Sequence, residues 1–364
     1  MSRHYIIPIF VPHLGCPHDC VFCNQKRITG FTTDVTAGDV ERIIEEHLTT
    51  FKPNSTIEVA FYGGSFTAID IDIQKELLEI PYKYKIDGKI NGIRLSTRPD
   101  AIDVHILDNL SRYSVDTIEL GVQSLDDTVL LHSGRGHSSD IVYKSAKLIK
   151  EYGFNLGLQM MIGLPSDSFE KDLLTCKEFI KLSPFCVRIY PTLIIKDTFL
   201  EKLYIRGKYE PIQLEKAVNI SAILLMMFTV NDINVIRIGL QPTENIQMGK
   251  DVIAGPFHPS FRQLVETRIF QLIFDKYLED KNISTNGYDL IIEANKKQVS
   301  NIAGQKSSNI KYITNKYKFN KIKIYAGNLG LYQVNITIGE IYDKINMKSL
   351  MDTYLRDNSL FDLY

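Results

Sequence analysis

The stretch Tyr5–Cys23, YIIPIFVPHLGCPHDCVFC, runs an apolar strand directly into a loop that holds three of the chain's five cysteines. The strand half, YIIPIFV (5–11), is rich in isoleucine, valine and phenylalanine, which favour β structure. The loop half spaces its thiols as C-x3-C-x2-C at Cys16, Cys20 and Cys23. A structural zinc site takes four ligands, and here His13 or His18 would have to complete it. A 4Fe–4S cluster normally takes four thiolates. Held by three, it keeps one iron open to a small molecule. The other two thiols, Cys176 and Cys186, sit alone in a helix-like and a strand-like segment.

The rest of the chain sets bounds. Its 364 residues suffice for one large domain and a small one. The charged fraction of 23% and net charge of −1 are ordinary for a globular protein and do not mark the whole molecule as a polyanion binder. The N-terminal apolar run is too short for a signal peptide, and no run approaches a membrane span. A cytoplasmic, membrane-free protein is expected. In a reducing compartment, clustered cysteines bind metal more readily than they form disulfides.

Outward from the first strand, β-like runs alternate with amphipathic segments. The strands are IEVAFY (57–62), GIRLS (92–96), DTIELGV (116–122), FNLGLQMMI (154–162) and FCVRIY (185–190). Helical patterns lie near 37–51, 70–80, 101–112, 138–152 and 167–181. Six such alternations predict parallel βαβ units. No GxGxxG follows the first strand, which disfavours a dinucleotide fold. On four strands polar residues alternate with apolar ones, so Arg94, Ser96, Glu119, Gln123, Gln159 and Arg188 share the inner face. A closed barrel normally fills its interior with Val, Ile and Leu. The fold class expected is α/β, a partial TIM-like (β/α)6 barrel with a polar lumen. The competing reading of these polar residues is a self-satisfied buried network.

The loop CPHDCVFC, placed just after the first strand, resembles the cluster motif of the radical S-adenosylmethionine (SAM) superfamily. The resemblance implies a 4Fe–4S cluster on Cys16, Cys20 and Cys23, with SAM on the open iron. It implies that Phe22 lies beside the adenine and that Gly63, Gly64 and Ser65 of FYGGSFT receive the SAM amino group. Glu119 and Gln123 of ELGVQS would hold the ribose and methionine parts. Gln159 points inward ahead of GLP (163–165), which resembles the family's Gly-x-Pro element.

Four blocks, STRPD (96–100), GVQS (121–124), GRGH (134–137) and RIYPTLIIKDTFL (188–200), resemble the radical SAM domain of the Elongator catalytic subunit over roughly 5–245. That family modifies the wobble uridine of tRNA. Ser65 stands where the family has threonine, and the chain ends at Tyr364 without room for the family's acetyltransferase domain. Coproporphyrinogen oxidases share the GVQ and GLP elements, which keeps a porphyrin substrate open.

After a helix near 210–231, a strand at NVIRIGLQPT and an amphipathic helix after GPFHPSF, the C-terminal segment reads strand, helix, GQKS, helix, strand. It resembles a KH RNA-binding unit, whose GXXG loop clamps nucleic-acid backbone. Ser307 replaces the last glycine. From Ser284 to Asn328 eight lysines face Asp289 and Glu293, a local charge of +6. Gly304 would open the loop, Lys306 would sit at its tip, and Lys296, Lys297 and Lys311 would flank the RNA.

The expected organisation is a radical SAM core (1–245), a helical extension and linker (246–285) and a basic KH-like domain (286–364). The expected activity is SAM-dependent radical modification of RNA, with tRNA as partner and ferredoxin or flavodoxin as reductant. The alternatives are a small-molecule radical SAM enzyme and a non-catalytic iron–sulfur RNA-binding protein.

Overall fold

The computed structural model describes residues 4–11, 20–24, 35–242 and 246–361. They form two compact units, 1–212 with 240–257 and 213–239 with 258–364.

In the first unit, β1 (His4–Val11), β2 (Thr56–Gly63), β3 (Gly92–Thr97), β4 (Thr117–Gln123), β5 (Asn155–Ile162) and β6 (Cys186–Pro191) lie side by side in chain order. All five pairings are parallel. Between them run α1 (Ala37–Leu48), α2 (Ile71–Ile86), α3 (Val104–Arg112), α4 (Asp127–His132), α5 (Ser139–Glu151) and α6 (Phe169–Leu182). This is the α/β half-barrel expected of the sequence. Local signals start the helices. Thr36 and Asp39 form a reciprocal capping box on α1, and Asp70, Asp103, Asp126 and Ser168 cap α2, α3, α4 and α6. The pattern for α2 stops at residue 80, ahead of Pro81, yet the helix continues to Ile86. Proline forfeits one helical hydrogen bond, but its ring is buried with Leu77, Leu78 and Tyr84, which offsets the loss.

One set of apolar strand residues is fully buried, namely Ile7, Ile9, Val59, Phe61, Ile93, Leu95, Ile118, Leu120, Val187 and Ile189. The alternate positions are polar and lie in register, Ser96 beside Glu119, Glu119 beside Gly157 and Gly157 beside Cys186. Beyond β6 the unit adds β7 (Ile194–Ile195) and α7 (Phe199–Ile205).

The second unit contains α8 (Leu214–Val230), β8 (Asn234–Ile238), α9 (Phe261–Lys281) and α12 (Met347–Asp357), with α9 and α12 both packed on α8. The remaining strand of the first unit, β9 (Val252–Ala254), pairs antiparallel with β7. Because α9 packs on α8, the segment expected as a separate extension, 246–285, divides between the two units. The second unit also carries a sheet in the order β11 (Lys321–Gly327), β10 (Asp289–Asn295), β12 (Gln333–Ile338), β13 (Ile341–Asn346). Between β10 and β11 come α10 (Val299–Ala303), the Gly304–Ser307 turn and α11 (Ser308–Tyr317). The strand–helix–GQKS–helix–strand order is therefore present.

Candidate active site

The C-terminal edge of a parallel sheet is where such folds place ligands. Here β2 runs out into Gly63, Gly64 and Ser65. Gly63 has φ 101°, a conformation open to glycine and costly for other residues. The Gly64 N–H donates to Val11 O at 3.2 Å, tying this loop to the strand that leads into the cysteines. Ser65 is buried at the head of a short turn, Phe66–Ala68.

Cys20 and Cys23 lie on one turn, closed by Cys23 N–H to Cys20 O at 3.0 Å. Three anchors fix it. Val21 N–H donates to Ser133 O, Leu200 N–H donates to Val21 O, and the Asn24 amide donates to Lys196 O at 3.4 Å. Phe22 packs on a small apolar group of Val21, Ile194 and Leu200. Cys16, His13 and His18 lie outside the described residues, so the third ligand is not among the positions seen. Cys176 and Cys186 are buried in α6 and at the start of β6. Burial raises the Cys176 thiol pKa, and burial followed by the Glu119 charge pushes Cys186 up to about 12. Neither is poised as a thiolate.

Two arginines that the sequence reading gave no cofactor role face Cys20. Arg135 Nη1 donates to Cys20 Sγ at 3.0 Å, and Arg98 Nη1 approaches it at 3.9 Å. Arg135 also donates to Gly121 O, and its own carbonyl accepts from Arg98, which pairs with Asp100 at 2.9 Å. The signal was present in the sequence as GRGH and STRPD.

Gln123 departs from simple alternation. A bulge interrupts β4 between Gly121 and Gln123, and Gln123 takes a left-handed φ of 76°. Its amide curls back over Gly121, where an added Cβ would lie 3.1 Å from Nε2. The Gln123 Oε1 is buried and finds no partner among the described residues, as does Arg135 Nε.

Below this rim the polar residues form one network. Glu119, 1% exposed, accepts from Arg188 and, at 3.2 Å, from Arg94 Nη1. Arg94 also pairs with Glu58, and Arg188 Nη2 donates to the Tyr62 hydroxyl at 2.6 Å. Gln159 Nε2 reaches Ser96 Oγ at 3.2 Å and Glu119 at 3.4 Å. Burial opposes the Arg188 charge, yet Glu119 raises its pKa overall; burial and Glu119 raise that of Tyr62. The lumen is thus filled by mutual ion pairs. Gly157 is required there, since a Cβ would meet Glu119 Cγ at 2.7 Å.

The features at this rim are those a thiolate-held metal group and a small polar ligand would need. Thiols on a tight turn, guanidinium donors beside a sulfur, a glycine strand end and an orphaned buried carbonyl all converge on the rim. Residues 10–176 match the radical SAM superfamily and residues 184–271 its C-terminal domain. The chain belongs to the radical SAM superfamily, enzymes that use a 4Fe–4S cluster and SAM. It is 28% identical to an uncharacterized protein of Methanocaldococcus jannaschii, over 57% of this chain and 67% of that one. It is 25% identical to the tRNA uridine(34) acetyltransferase of Dehalococcoides mccartyi, over 56% of this chain and 52% of the relative. To Elongator complex protein 3 of Dictyostelium discoideum it is 32% identical, over 47% and 34% of the two chains. It therefore spans about half of the acetyltransferase and about a third of the Elongator protein. Among solved structures, archaeal Methanocaldococcus infernus Elp3 shares the fold with a TM-score of 0.56, at 22% identity over 78% of this chain and 64% of that one. No described helix is long and apolar enough to cross a membrane.

In the second unit, Lys296, Lys297, Lys306 and Lys311 are all exposed, whereas Gly304 is buried. Gly304 has φ 76°, and a Cβ there would lie 3.1 Å from Thr267 Cγ2 of α9. Lys306 and Ser307 are left-handed, so the turn projects Lys306 outward.

Proposed function

We propose that this radical SAM enzyme acts on a nucleoside within RNA, with tRNA as the substrate. The observation that carries this reading is the similarity of the core to tRNA uridine(34) acetyltransferases and Elongator proteins. The exposed lysines of the second unit add the positive surface that a phosphate backbone requires.

In this reading Cys16, Cys20 and Cys23 hold the cluster, and Arg135 stabilises the Cys20 thiolate with a charge-assisted hydrogen bond. Gly63, Gly64 and Ser65 present backbone to SAM, and Phe22 lies beside its adenine. Gln123 offers it the orphaned Oε1, and Gln159 stands at the inner wall. When bound, cluster and SAM supply a carbon radical that abstracts hydrogen from the substrate. Glu119 serves by fixing Arg94 and Arg188 rather than by facing solvent. The GQKS turn, with Lys306 at its tip and Lys296, Lys297 and Lys311 around it, holds RNA backbone. Ferredoxin or flavodoxin supplies electrons.

The test is mass spectrometry of tRNA nucleosides after anaerobic incubation with protein, SAM and reductant. A new or altered nucleoside is expected. SAM cleavage with unchanged tRNA, but with turnover of a porphyrin, would move the assignment to small-molecule chemistry.

A further inference from the structure

The sheet of the second unit has two unlike faces. Leu290, Ile292, Val334, Ile336 and Ile338 are buried. Asp343, in the row of Ile336, accepts from the Tyr277 hydroxyl of α9 at 2.8 Å, so the helices cover that side. On the opposite face Lys321, Lys323, Tyr325, Tyr342 and Lys344 are exposed. Register sets Lys323, Ile291, Thr337 and Tyr342 in one row across it, and Tyr325, Glu293, Asn335 and Lys344 in the next.

Two tyrosines stand on this face, Tyr325 at 41% and Tyr342 at 54% exposure. They occupy the two outer strands. Three strand spacings and one row separate them by about 16 Å. Lys323 Nζ lies 5.5 Å over the Tyr325 ring. Lys321, Lys323 and Lys344 are exposed and have no ion-pair partner among the described residues. The two carboxylates of the face are held down by amides. Glu293 accepts from Asn335 at 2.7 Å and lies over Gly327, where any Cβ would overlap it; Asp289 accepts from Asn320 at 2.8 Å. Beside Tyr342 opens a cavity of about 450 Å³ lined by Leu329, Gln333, Asn335, Lys344 and Asn346.

We propose that this open face is a stacking platform for single-stranded RNA, with Tyr325 and Tyr342 receiving bases and Lys321, Lys323 and Lys344 the backbone. Exposed rings on a sheet are sequence-tolerant base platforms, and unpaired lysines between them match phosphate. The cavity beside Tyr342 has a mixed lining, with Val334 and Ile345 beside the amides, and gives room for the edge of one base. The platform lies on the side of the sheet away from α9, against which the GQKS turn packs. The inference rests on the RNA reading above but assigns binding to different residues.

The experiment is fluorescence anisotropy of the full chain with a labelled 12-nucleotide single-stranded RNA and its duplex. The native protein binds the single strand in preference to the duplex. Tyr325→Ala with Tyr342→Ala weakens single-strand binding by at least about ten-fold, and Tyr325→Phe with Tyr342→Phe restores it. Lys323→Gln with Lys344→Gln lowers the slope of log K against log salt by about 1.4, since each single-strand phosphate contact contributes roughly 0.7. These lysine variants also decide the matter if loss of the rings impairs folding. Unchanged affinity in the alanine pair, with binding still abolished by Lys306→Glu, overturns the platform and leaves the RNA reading standing. Absence of RNA binding by the native protein overturns both. Loss of self-association or of a protein complex in the alanine pair, with RNA affinity intact, reassigns the face to a protein partner.

Discussion

Arg188 grips Glu119 with two parallel donors, Nε at 2.5 Å and Nη2 at 3.0 Å, one to each carboxylate oxygen. The pair joins β6 to β4, which are not neighbours, across the strand that carries Gly157. It therefore spans the inner face of β5.

Removing this carboxylate should be costly. Glu119→Gln leaves the buried Arg188 guanidinium without a counter-charge and Arg94 with Glu58 alone, and about 3–5 kcal/mol of stability is expected to go with it. Urea unfolding measures it. A loss below about 0.5 kcal/mol would show that water reaches the lumen and screens both arginines.

Acid should weaken the rim through His137. Burial, and then Arg135, lower its imidazole pKa from 6.5 to about 4, and its Nε2 is buried without a hydrogen bond. Between those pH values the unfolded chain binds the proton and the native state does not. The contribution is complete above about pH 6.5 and drains away as the pH falls towards 4. In His137→Gln the fall in urea midpoint between about pH 7 and pH 4.5 should shrink. An undiminished fall would place the acid sensitivity on groups other than His137.

The thiols should separate cleanly. Cys20→Ala and Cys23→Ala are expected to abolish bound iron and acid-labile sulfide after anaerobic reconstitution. Cys176→Ala should keep both, because that thiol is buried within α6 and protonated. Iron loss in the Cys176 variant would show that the ligand set is misassigned.

SAM recognition should be separable from cluster assembly. Gln123→Ala removes the orphaned Oε1 and is expected to weaken SAM binding about three- to ten-fold, the size of one hydrogen bond, with iron content unchanged. Gly64→Val should block SAM more completely, since a branched side chain fills space that the ligand's approach needs. Equilibrium dialysis of SAM against the reconstituted variants gives both numbers.

Much of this was legible because it is local. Alternation in TIELGVQ and FNLGLQMMI marked the strands within a residue or so, and the spacing of three thiols marked the loop. The β12–β13 hairpin, closed by the two residues Gly339-Glu340, was not read, although glycine between two alternating runs is a hairpin signal. What else escaped depends on partners far away in the chain. The bulge at Gln123 is set by pairing with Met160. Arg135 meets Cys20 across 115 positions, and no spacing rule reaches that far. The lumen residues were visible as a polar face, but only packing shows that they spend their charges on one another. The continuation of α2 past Pro81 likewise depends on what its ring is buried against.

Arg135 has one more consequence. Its guanidinium holds the cysteine turn and the end of β4 at once, while its carbonyl holds Arg98 at the end of β3. Three segments that are remote in sequence share a single fastening point. The same guanidinium that donates to the Cys20 sulfur donates to Gly121 O, two residues from Gln123. On the proposed assignment, Arg135 would couple the cluster-bearing turn to the end of β4 by a direct side-chain link.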